Sequence, residues 1–176
     1  MFKQIIMLFW DLCLFRKGPQ DVPHHLNLLA LFLCLDVVLE FAYLAIIDNA
    51  SFIVHFMVRI ALLLFLSWLV LLIAKKTDRW LQTVTAIIGV DVLLNVVSFI
   101  SQRMWMFSSA ELNSGVLSTL FMFLLISIAI WQWFINANIF RQALHVSYAL
   151  GVFIALLIMI LSNTVLLMQF LANIGA

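Results

Sequence analysis

Five apolar runs, each long enough to cross a bilayer, constrain this chain more than any other feature. They cover approximately 26–47, 52–74, 80–101, 115–140 and 147–172, against the roughly 20 residues needed for a hydrocarbon core of about 30 Å. Lipid offers no water to backbone N–H and C=O groups, so uninterrupted runs of this length are predicted to be helices that satisfy their own backbone. The expected fold is an all-α integral membrane protein with one five-helix domain over 26–172. With 66% hydrophobic and 10% charged residues and a mean hydropathy of +1.21, the chain holds more apolar surface than a soluble domain of 176 residues can bury. A net charge of +1 leaves no clustered basic face, so no nucleic-acid partner is expected.

Basic residues set the orientation. Lys3, Arg16 and Lys17 precede the first run, Lys75, Lys76 and Arg79 lie between the second and third, and Arg141 closes the fourth with His145 beside it. The other side has only Arg103. By the positive-inside rule the N-terminus and the 75–79 loop are expected in the cytoplasm and the C-terminus outside, which in a bacterial inner membrane is the periplasm.

Residues 1–17 are a separate unit. Lys3 followed by apolar residues resembles a signal peptide, but Trp10, Asp11, Arg16 and Lys17 stand where a small-residue cleavage site belongs. The segment is too short to span. Lys3, Gln4 and Asp11 fall on one side of a helical wheel, with Phe2, Ile5, Ile6, Leu8, Phe9 and Leu12 around the rest. The prediction is a short amphipathic helix lying on the cytoplasmic leaflet, ended by Gly18-Pro19 and Pro23. Cys13 and Cys34 lie at different depths, so no disulfide between them is expected.

Ionisable groups inside the runs are the candidate functional residues, because a charge at membrane depth is costly and needs a partner. Asp36, Glu40 and Asp91 are acidic, and Arg59 is the one permanent base among them. In a tight antiparallel hairpin, residues equidistant from the turn share a depth. Counting from a first turn near Asp48-Asn49-Ala50 puts Glu40 level with Arg59. Counting from a second near Lys76-Thr77-Asp78 puts Asn95 level with Arg59 and Asp91 one turn deeper. Asp36 and Glu40, His55 and Arg59, and Asp91 and Asn95 are each i,i+4 pairs on one helix face. The expected intramembrane network is a Glu40–Arg59 ion pair with Asn95 and His55 as further partners. Asp36 and Asp91 are left with no permanent base, and are expected to be protonated, to share a cation or to face water.

An internal likeness runs through the same residues. Leu35-Asp36-Val37-Val38-Leu39-Glu40 matches Val90-Asp91-Val92-Leu93-Leu94-Asn95 at an offset of 55, and Cys34 falls on Gly89. A duplicated helical hairpin and a chance likeness of two apolar helices both account for it. Trp131, Gln132, Trp133, Asn136 and Asn138 in the fourth run read as packing amides with an aromatic belt. Met104 to Phe107 read as an outer-interface segment ahead of a loop over about 102–114. No metal-ligand spacing, phosphate loop, haem-attachment signature or catalytic triad is present, so no cofactor and no enzymatic activity is expected.

Gly18-Pro19-Gln20-Asp21-Val22-Pro23, Leu81-Gln82-Thr83-Val84-Thr85-Ala86 and Arg141-Gln142-Ala143-Leu144 together resemble small bacterial inner-membrane proteins related to the Yip (Ypt-interacting protein) domain family. The resemblance implies five spans, a cytoplasmic N-terminus and no enzymatic activity; it supplies no catalytic residues. Eukaryotic members act with small GTPases in vesicle traffic, but this chain lacks the long soluble N-terminal region many of them carry. The expected function is a non-enzymatic accessory, scaffold or assembly subunit of the bacterial inner membrane. It would act through helix–helix and lipid contacts, with a membrane-protein partner or a second copy of itself. The alternative is a small proton- or cation-coupled transporter using the intramembrane carboxylates, which predicts a water-reachable cavity beside Asp36 and Asp91.

Overall fold

The computed structural model describes residues 2–47, 51–110 and 115–174, with side chains described over 3–42, 56–107 and 116–162. Among the described residues the structure is all helix, without strands. The helices are α1 (Phe2–Cys13), α2 (Leu26–Ile47), α3 (Ser51–Ile73), α4 (Trp80–Ala110), α5 (Gly115–Leu144) and α6 (Tyr148–Ile174), with short 3-10 turns at Pro19–Asp21 and Thr77–Arg79. Among the described residues three stretches are long and apolar enough to cross a bilayer: Phe56–Ile73, Thr77–Phe107 and Val116–Leu144; Tyr148–Ser162 is apolar but shorter. The chain is therefore a membrane protein by length and composition.

One helix end lies further on than the sequence suggests. Nothing in Ser101-Gln102-Arg103-Met104-Trp105-Met106-Phe107 breaks a helix, and α4 continues through them to Ala110, so the expected interface segment is its last turns.

The centre of the bundle is α4. Every residue from 83 to 92 is buried, which an amphipathic helix cannot show and a helix covered on all sides must. Its neighbours are α5, α2, α1 and α3, while α6 closes against α5 and α3. The composition of this stretch suits the position. Thr83 and Thr85 are buried because each hydroxyl donates to a carbonyl four residues back in its own helix, to Arg79 at 2.8 Å and Leu81 at 2.6 Å. Gly89 lets α1 approach: a Cβ there would run into the Phe9 ring, which also meets Phe32 of α2 edge-on, centroids 4.5 Å apart.

Thus α1 is anchored in protein as well as amphipathic. Phe9, Leu12 and Cys13 are buried in the core, while Ile6, Met7, Trp10 and Leu14 remain exposed on the other face. Burial and the negative charge of Asp91 together push the Cys13 thiol up to about 11. The turn after α1 is tied to the bundle by Gln82 Nε2 donating to the Val22 carbonyl (2.9 Å) and Gln20 Nε2 to Gln142 Oε1 (3.2 Å).

The helices α1, α3 and α5 end alike. In α1 the amides of Phe15 and Arg16 return to Leu12 and Asp11; in α3 those of Lys75 and Lys76 return to Leu72 and Leu71; in α5 that of Val146 returns to Arg141. This is the Schellman closure, and its left-handed position is filled by Phe15 (φ 60°), Lys75 (φ 56°) and His145 (φ 53°) rather than glycine. The loops after α3 and α5 meet, with Lys76 Nζ donating to the Leu144 carbonyl at 2.6 Å and Arg79 Nη1 lying 2.6 Å from His145 Nε2. A cation against a helix C-terminal carbonyl is favourable.

Candidate functional site

Two polar groups meet near the middle of the bundle. The first joins α2, α3 and α4 around Arg59. Its Nη2 lies 3.1 Å from Glu40 Oε1 and 3.8 Å from Asp36 Oδ2, and its guanidinium sits over the Phe56 ring, 5.5 Å from the centroid. Asn95 Nδ2 donates to Asp36 Oδ1 at 3.2 Å. Phe56, one turn before Arg59, backs the guanidinium with an aromatic face, and the carboxylates come from one face of α2.

The Glu40–Arg59 pair is as expected from counting depth. Two details differ. Asp36 does have a permanent base, because α2 lies close enough for Arg59 to reach both of its carboxylates. Asn95 bonds Asp36 across the α2–α4 contact, a partner that counting depth did not name. The side chain of His55 falls outside the described residues.

The second group joins α4, α5 and α6. Asp91 is 6% exposed and accepts from Gln132 Nε2 at 2.8 Å. Beside it lies a cavity of about 220 Å³ whose polar lining is Arg59, Asp91, Gln132, Trp133, Asn136 and Ser162. Leu63, Ile87, Phe140, Ala155 and Ile158 supply apolar wall. Gln132 and Asn136 are i,i+4 on α5 and so present their amides together. Ser162 Oγ donates to the Ile158 carbonyl at 2.7 Å. Trp133 Nε1 and Asn136 Oδ1, both inaccessible to bulk solvent, have no hydrogen-bond partner. A buried polar atom without a partner is costly, and the cost is removed when a water or a ligand bonds it.

From sequence, Gln132, Trp133 and Asn136 read as packing groups. Depth counting exposes them once it starts from the helix ends at Trp80 and Leu144. Asp91 is 11 residues past Trp80 (91 − 80), and Gln132 is 12 before Leu144 (144 − 132). Both carboxylates of the internal likeness are bonded by an amide from a neighbouring helix, Asp36 by Asn95 and Asp91 by Gln132.

Among the described residues no group of three or more His, Cys, Asp or Glu side chains is placed to hold a metal ion. The arrangement offers hydrogen bonds and charge to a small polar species. No protein family, curated protein or solved structure matches the chain.

Proposed function

We propose that this protein is a non-enzymatic, five-span protein of a bacterial cytoplasmic membrane, and that it works as a small proton- or cation-coupled carrier through the Asp91 cavity. The 22 residues of α2 and the 27 of α6 rise roughly 33 Å and 40 Å at about 1.5 Å per residue, enough to cross. The basic residues in the turns after α1, α3 and α5 support a cytoplasmic position for those turns. The relation to Yip-type proteins rests on the quoted sequence phrases and bears on architecture alone.

The cavity carries the functional reading. It joins a buried carboxylate to two buried polar atoms without partners, at a depth where water or a polar solute is otherwise excluded. An accessory or assembly role, with a membrane partner or a second copy, accounts well for the Arg59 cluster, whose charges close on one another. It leaves the cavity without use.

The test is flux. Purified protein in liposomes loaded with a pH-reporting dye is given an outward gradient of a small cation, and internal pH is followed. Protein-dependent proton movement that Asp91→Asn abolishes, with the variant still monodisperse, supports the carrier. No flux with any monovalent cation or amine overturns it and returns the accessory reading, to be pursued by isolating whatever co-purifies with the tagged chain.

A further inference from the structure

We propose that the Asp91 cavity binds a small organic ammonium ion, a hydroxylated primary amine whose charged end rests on Asp91 and Asn136. This deepens the carrier reading and rests on it for movement of the ligand, though not for its binding.

Charge is the first argument. The guanidinium of Arg59 is shared between Glu40 and Asp36, at 3.1 and 3.8 Å. Asp91 has amide partners in Gln132 and Asn136 and no Lys, Arg or His within 4 Å among the described residues. Arg59 also lines the cavity and attracts Asp91 through space, but it does not touch it, so the α4–α5 side has no cation in contact with its carboxylate.

Hydrogen-bonding capacity is the second. Asn136 Oδ1 is an acceptor without a partner, and the Asp91 carboxylate, bonded by Gln132 and by the Asn136 amide, keeps lone pairs for a further donor. A ligand filling these positions must donate at least twice, and a primary ammonium has three N–H donors. Trp133 Nε1 is the opposite case, a donor without an acceptor. One hydroxyl oxygen on the ligand satisfies it.

Size and wall chemistry are the third. About 220 Å³ is the share of liquid volume of roughly seven waters at about 30 Å³ each, far more than a bare alkali ion occupies. Ile87, Phe140, Ala155 and Ile158 offer no oxygen to replace an ion's hydration shell, but they accept methylene groups.

The test is calorimetric titration of the full-length protein in detergent at pH 7 with ethanolamine, ethylamine, ethylene glycol, sodium chloride and potassium chloride. Ethanolamine is expected to bind saturably and more tightly than ethylamine, with no binding by the glycol or the salts. Asp91→Asn should weaken ethanolamine at least about tenfold, as expected for lost charged hydrogen bonds. Trp133→Phe should weaken ethanolamine severalfold and leave ethylamine unchanged, which a merely structural role would not do. If Asp91→Asn aggregates, Asn136→Leu carries the same test. The proposal is overturned by an absence of heat with ethanolamine, by equal binding of sodium or glycol, or by undiminished binding in these variants. Binding without flux removes the carrier and keeps the site; proton flux without amine binding removes the site and keeps the carrier.

Discussion

Replacing Gly89 with Leu tests whether α1 is held by the bundle or by the leaflet, and Cys13 reports the answer. A Cβ at Gly89 already overlaps the Phe9 ring, and a leucine adds three more carbons, so α1 must leave its seat. With Cys34 changed to Ser, Cys13 is the only thiol. In the native seat its pKa is raised from 9.0 to about 11, chiefly by burial and secondarily by Asp91. Two units mean about a hundredfold less thiolate at pH 7.5. A more basic thiolate is also a better nucleophile, with a Brønsted slope of about 0.4–0.5, which returns roughly eightfold over two units.

The net expectation is that Cys13 reacts with an aromatic disulfide about tenfold more slowly than an exposed cysteine, before any steric shielding. Its rate should keep rising with pH toward about 11. In Gly89→Leu the rate at pH 7.5 should rise at least about tenfold and its profile should level off near 9. Adding Phe9→Ala to Gly89→Leu makes room for the leucine and should restore slow labelling. The sign for docking follows: the neutral thiol is the seated form, so α1 is held below about pH 9 and loosens as pH rises through 9 to 11. Wild-type labelling as fast as in a short water-exposed peptide, or no response to Gly89→Leu, refutes the docked helix.

Arg59→Gln leaves Asp36 and Glu40 facing each other without a cation. With Arg59 a quarter exposed, the loss should fall near the low end of the 3–5 kcal/mol range for buried pairs, about 3 kcal/mol, read by reversible unfolding in detergent. Arg59→Lys should recover part of it, because one ammonium cannot form the guanidinium's fork. Lys75→Gly should raise the thermal midpoint slightly, since glycine relieves about 1–2 kcal/mol of left-handed strain and returns part of that as unfolded-state entropy, for a net gain of about 0.5 kcal/mol. Gly151→Leu should cost about 1–3 kcal/mol in the same assay, because a side chain there meets the Ala137 carbonyl across the α5–α6 contact.

Depth was legible in the sequence and azimuth was not. Membrane thickness fixes how far along each helix a residue sits, so hairpin counting paired Glu40 with Arg59. It cannot say which way a side chain faces, and so it did not name the bond that Asn95 makes to Asp36 across the α2–α4 contact. Gln132 was within reach of the same counting. The loop expected over about 102–114 hid the register from that end, while the ends at Trp80 and Leu144 would have supplied it. The seat of α1 had a weaker signal. Gly89 is a small residue in an apolar helix, the kind of position where another helix comes close in membranes. The wheel of residues 1–17 is apolar on most sides, so it cannot distinguish lipid from protein as the surface that Phe9 and Leu12 cover.

The two polar groups differ in how their charge is met. At an effective dielectric of about 20, separations of 3.1 and 3.8 Å give Arg59 gross attractions of roughly 5 and 4 kcal/mol to its two carboxylates. These are comparable with the roughly 2.5–3.5 kcal/mol that each charge costs at the centre of a spanning helix, and Asn95 adds a further bond to Asp36. The cluster between α2, α3 and α4 therefore approaches balance by itself and has little to offer a ligand. Asp91 is bonded by the amides of Gln132, at 2.8 Å, and Asn136, and each hydrogen bond to a charged group contributes only about 1.5–3 kcal/mol. Thus α4 borders both groups, giving Asn95 to the one that is closed and Asp91 to the one whose carboxylate no cation touches. The cavity lies beside the second. A cation held there would give Asp91, which Arg59 reaches only through space, the close contact that Arg59 already gives Asp36.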